Sequence, residues 1–116
     1  MRNTLLVVFF SLVVSACSTM QSRYSVIDTP HPAKAEGCGV DVLNEIPKVS
    51  FSRISRLDVH LEKTHFIASS LEDALPELKK QACLSGADAI IDLAEQSSML
   101  GETRIYHVTA TGIRYD

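Results

Sequence analysis

The sequence predicts a small α+β domain: a β-β-α-β-β unit with one helix packed on an antiparallel or mixed four-stranded sheet. Three observations predict it. Between Phe51 and Glu62, Leu57, Val59 and Leu61 alternate with Arg56, Asp58, His60 and Glu62, the period-two pattern of a strand with one wet face. Leu71, Ala74, Leu75, Leu78 and Ala82 then recur at helical spacing. From Arg104 to Tyr115, Tyr106, Val108 and Ala110 alternate with Ile105, His107, Thr109 and Thr111, which marks a last strand.

The remaining elements follow in chain order. Residues 18–37 are polar and carry Pro30 and Pro32, so residues 17–37 read as a flexible linker ahead of a domain spanning 38–116. Gly39 to Leu43 is a short strand candidate that Asn44-Glu45-Ile46-Pro47 breaks. Ser70-Leu71-Glu72-Asp73 has the form of a capping box, with acids suited to the helix dipole. Proline is tolerated best in the first turn of a helix, so Pro76 points to a helix starting near Leu75. Gly86 is the natural stop. Ala87 to Leu93, with adjacent Ile90 and Ile91, reads as a buried strand, and Ser97 to Gly101 as a loop. Gly112 signals a bulge or a close backbone approach.

The amino-terminal residues have a different character. Arg2 precedes an apolar block from Leu5 to Val14, and the small residues Ser15 and Ala16 close it. This is the layout of a secretory signal peptide over residues 1–16, shorter than the roughly 20 apolar residues of a spanning helix. Val14-Ser15-Ala16-Cys17 resembles the lipobox of bacterial lipoproteins. The resemblance implies cleavage before Cys17, a diacylglycerol on its sulfur, and a further acyl chain on the new amino terminus. Each buried methylene contributes about 0.8 kcal/mol, so several chains on one residue hold a small domain at a membrane. Ser18 stands where an aspartate would favour inner-membrane retention, so the resemblance implies outer-membrane sorting, with the domain facing the periplasm.

Removal of residues 1–16 from the 116 leaves 100 residues, enough for one domain. Loss of Arg2 takes the basic count from 11 to 10 against 14 acids, a balance of −4. That argues against nucleic acid, which rewards a basic face, and against electrostatic attraction to anionic lipid. Membrane contact is therefore expected through the acyl chains. Tryptophan is absent, which removes the strongest stacking platform for sugars or bases.

Cys38 and Cys83 remain besides Cys17. In an oxidising compartment they form either a disulfide or two buried thiols. If joined, they close a loop of about 46 residues and stabilise the fold by roughly 3–4 kcal/mol in the chain-entropy model.

Chemistry-bearing residues are sparse. His60 and His107, with Asp58 or Glu62 nearby, are the weak candidates for a metal site, and His65 lies five residues beyond His60. No Cys-x-x-Cys or His-Glu-x-x-His spacing occurs, and solvated surface histidines explain the pattern without a metal. Glu72 and Asp73 are explained by capping, and Asp88 and Asp92 by strand edges. A cysteine–histidine nucleophile lacks a third orienting group. No catalytic residue and no cofactor beyond the lipid on Cys17 is expected.

Ala82-Cys83-Leu84-Ser85-Gly86-Ala87-Asp88-Ala89-Ile90-Ile91 and Thr109-Ala110-Thr111-Gly112-Ile113 resemble parts of a group of small α+β proteins. The group includes YbjQ-like domains, often described as heavy-metal-binding, and the outer-membrane lipoprotein that senses envelope stress for the Rcs phosphorelay. The resemblance covers roughly residues 40–114 in element order. It implies the α+β fold and envelope-stress signalling, while the lipobox, the short linker, the compact domain and the lack of a catalytic constellation point to a non-enzymatic envelope lipoprotein whose domain serves protein interaction. The sensor carries two disulfides where this chain offers Cys38 and Cys83 alone. A periplasmic metal-binding module that uses surface histidines is the alternative.

Overall fold

The computed structural model describes residues 19–64 and 70–116. Cys17, its leader and His65 lie outside the described residues. One helix packs on one face of a five-stranded mixed sheet. The strands are β1 (Thr19–Val26), β2 (Asp41–Val42), β3 (Phe51–Thr64), β4 (Ala89–Leu100) and β5 (Thr103–Tyr115), and α1 is Leu71–Ser85. The sheet order is β1-β3-β5-β4-β2, antiparallel throughout except for the parallel β2–β4 pair. Between β3 and β4 the chain forms α1, and β5 returns into the gap between those two strands.

The period-two pattern of β3 and β5 falls as the sequence requires. Leu57, Val59, Leu61, Tyr106, Val108 and Ala110 are buried on the helix face, together with Ala74, Leu78 and Ala82 of α1. A smaller apolar cluster of Ala89, Ile91 and Ile113 gathers Leu43 and Phe51 on the opposite face. At the expected position, Gly86 ends the helix in the left-handed region, with φ 83°. Its N–H donates to the Cys83 carbonyl at 3.1 Å, and that of Ala87 to the Ala82 carbonyl at 3.0 Å. A Cβ on Gly86 would also strike the carbonyl oxygen of Pro32, so this glycine is needed for both conformation and space.

Four expectations are corrected. The linker assigned to residues 17–37 contains β1, so the sheet has five strands and the folded unit extends back to Thr19. β1 is an edge strand, and nearly all its residues are exposed. Backbone pairing to β3, more than apolar burial, holds it, which is why hydrophobic patterning understates it. The stretch after β1 is also tied down: Ile27 N–H donates to the Ile54 carbonyl at 2.9 Å and Lys34 N–H to the Cys83 carbonyl at 2.8 Å.

The helix starts at Leu71, not Leu75, and contains Pro76 in its second turn. The Asp73 carboxylate accepts the Ser70 backbone N–H at 3.0 Å, which fixes the start one turn earlier. That bond, with the Lys63 ammonium beside it, holds the Asp73 carboxyl below the usual aspartate range. The strand expected over Gly39–Leu43 is reduced to Asp41–Val42. Lastly, the expected loop from Ser97 to Gly101 is mostly strand. β4 runs to Leu100, which pairs with Thr103 across a two-residue turn, with Gly101 at φ 62°. Glycine with positive φ at the first central position suits this hairpin.

Candidate functional site

β3 and β5 place a polar ladder on the sheet face away from α1. In cross-strand register, Gln21 faces His60, His60 faces His107, and His107 faces Gln96, a row across four strands. Period-two geometry forces this. His60 and His107 occupy the wet phase of strands whose other phase is buried under the helix. The two imidazole rings meet edge to face, with centroids 5.8 Å apart. His107 Nε2 lies 2.7 Å from Asp58 Oδ1, and His60 Nε2 lies 2.9 Å from Glu62 Oε1. Arg23 on β1 approaches the other Asp58 oxygen at 3.9 Å. A shallow cleft of about 410 Å3 opens here, lined by Gln21, Ser22, Arg23, Asp58, His60 and His107.

The sequence-level candidates are thus brought together: His60, His107, Asp58 and Glu62 share one face. Their arrangement does not converge. Each Nε2 is engaged with its own carboxylate, and the carboxylates lie on neighbouring rows of the sheet, to either side of the histidine row. Among the described residues no group of three or more His, Cys, Asp or Glu side chains is placed to hold a metal ion.

Cys38 and Cys83 are joined, with Cα atoms 6.0 Å apart and a sequence separation of 45. The bond fastens the coil ahead of β2 to the last turn of α1. Asp88 forms an ion pair with Lys34, and its other oxygen accepts the Tyr115 N–H at 2.9 Å. Partial burial acts to raise the Asp88 pKa. The Lys34 ammonium, the Tyr115 N–H and the Arg114 charge outweigh it and hold the carboxyl below its ordinary value. Asp92, at φ 54°, forms the bulge that shifts the β4 register between Ile91 and Ala94, and it faces Arg53 at 3.5 Å. Both aspartates are thus engaged in ion pairs, Asp88 with Lys34 and Asp92 with Arg53.

One feature was not legible in the sequence. β2 covers β4 only as far as Ile90, and the chain then turns away through Asn44, Glu45 and Ile46. Beyond that point, among the described residues, nothing pairs with the outer edge of β4, and residues 94–100 are exposed. Counted from the two-residue turn, the ladder to β5 leaves the backbone N–H and C=O groups of Glu95, Ser97 and Met99 facing outward. Beside the start of this edge runs a groove of about 280 Å3, whose apolar lining includes Val42, Leu43, Ile46, Leu71, Ile91 and Leu93.

On the helix face, the Tyr106 hydroxyl is buried without a hydrogen-bond partner among the described residues. Burial, reinforced by the Glu95 carboxylate on β4, pushes its pKa up to about 12. It is therefore a neutral phenol at physiological pH.

No helix among the described residues is long and apolar enough to cross a membrane. The chain matches no family model, no curated protein and no solved structure.

Proposed function

We propose that this chain is a non-enzymatic cell-envelope lipoprotein, acylated on Cys17 at the outer membrane, whose periplasmic domain binds a protein partner by strand addition. The observation that carries the binding part is the open edge of β4. Natural sheets protect long edges with lysines, prolines or bulges placed along them. Residues 94–100 carry none of these, and the Asp92 bulge stands before the open stretch. A partner strand would continue the line that β2 abandons, taking its main-chain bonds from Glu95, Ser97 and Met99 and resting side chains in the adjoining groove. Between Ala94 and Glu102 the ribbon carries two carboxylates and no cation, which favours a partner segment with basic residues. A role in envelope-stress signalling is this same binding reading with a signalling protein as the partner.

The test uses the full-length acylated chain in cells, with a photo-crosslinking residue at Gln96. A discrete envelope partner is expected, and Ser97→Pro should abolish its capture while the domain stays folded, because that N–H serves no internal bond. Capture unchanged by Ser97→Pro overturns strand addition. Mass spectrometry of the amino-terminal peptide tests the anchor separately: an unmodified Cys17 removes the lipoprotein reading.

A further inference from the structure

The geometry points to a second membrane contact: the tip of the β4–β5 hairpin, Met99 and Leu100, enters the interfacial layer of the same bilayer that holds Cys17. The inference rests on the lipoprotein reading above and goes beyond it, since charge balance alone assigned membrane contact to the acyl chains.

Four facts carry it. Leu100 is 72% exposed and Met99 52%, consecutive apolar residues at the end of an extended ribbon, one on each face. Their end of the sheet is also the one where the anchor enters. Thr19 pairs with Glu62, which pairs with Ile105, so the start of β1 is level with a point two residues from the turn at Thr103. Only Ser18 separates Thr19 from Cys17 in sequence, and two residues reach about 7 Å at most. Three strand spacings, about 14 Å in all, separate β1 from β4 sideways. The acylated residue is thereby confined to the neighbourhood of the hairpin tip.

A domain held so closely at one end of its sheet cannot turn that end far from the lipid. The acyl chains fix the Cys17 backbone at the headgroup level, and exposed apolar side chains at the same level gain by leaving water. Attraction to anionic lipid is not required, and Glu102, the only charge in the turn, disfavours it. The contact is apolar and should be insensitive to salt.

The chain has no tryptophan, so a single introduced indole reports one place. Leu100→Trp and Met99→Trp, each in the full acylated chain, would be reconstituted in phosphatidylcholine vesicles. Val49→Trp, an exposed position at the opposite end of the sheet, serves as the reference. Emission from the tip variants should shift to the blue and be quenched by bromine-labelled acyl chains, at low and high salt alike, while Val49→Trp emits as in water. Acylated protein whose tip indoles stay water-exposed overturns the tip contact and leaves the anchor standing. Protein that carries no lipid on Cys17 overturns both.

Discussion

Cys38, in the coil ahead of β2, is bonded to Cys83 in the last turn of α1, and the loop they close contains β2, β3 and most of the helix. The bond holds the coil ahead of β2 against the end of the helix. Replacing it by Cys38→Ser with Cys83→Ala should lower unfolding free energy by about 3–4 kcal/mol, most of it through a less restricted unfolded chain. Denaturant titration of both proteins checks this. Reductant should destabilise the parent by a similar amount and leave the variant unchanged.

Gly112 lies opposite Ser55, at the point where β3 shifts register. A Cβ there would overlap the Ser55 hydroxyl, which is hydrogen-bonded at 2.8 Å to the Ser85 hydroxyl in a buried pair. Gly112→Ala should cost about 1–3 kcal/mol, as overpacking does in a filled core. Gly39→Ala, where a Cβ meets nothing within 4 Å, is the near-neutral control in the same denaturation experiment.

Asp88 gives the fold a component of acid sensitivity. Its folded pKa is depressed, chiefly against the opposing effect of burial, by Lys34 and the Tyr115 N–H. Its contribution to stability is complete above the unfolded aspartate value near 3.9 and is lost as pH falls below that towards the lower folded value. Asp88→Asn should therefore weaken the protein at neutral pH and flatten the fall in stability below about pH 4. Melting temperatures across that range, for parent and variant, read the difference.

His60 and His107 should bind zinc only weakly. Their Nε2 atoms, on adjacent strands, are committed to separate carboxylates, so chelation requires at least one side chain to abandon its partner and turn. Calorimetry with zinc, copper and nickel is expected to show no saturable site at micromolar concentration. Tight binding that His107→Ala abolishes would favour the metal-binding reading over the protein-binding one.

The parts of the fold that depend on burial were legible. β3, the core of α1 and β5 announce themselves because the same side chains that set the period also fill the core, as Leu57, Val59, Leu78 and Val108 do. Elements held by backbone pairing were not. β1 presents a polar surface on one face and half-covered Met20 and Tyr24 on the other, and its register comes from β3. The far half of β4 reads as loop because Ser97 and Ser98 contribute no packing, while β5 supplies its hydrogen bonds. Pro76 misled for a related reason: tertiary burial of Leu71 and Ala74, with the Asp73 cap, outweighs one missing helical hydrogen bond. The histidine pair could be placed on one face from alternation, but the pairing of each ring with a separate carboxylate needed the register of two strands.

β5 follows every other described strand in the sequence yet lies in the middle of the sheet. Until Tyr115 has been polymerised, the β1–β3 pair and the α1–β4 segment have no common strand to close upon. A stop codon ahead of β5 would remove the keystone, not trim a margin.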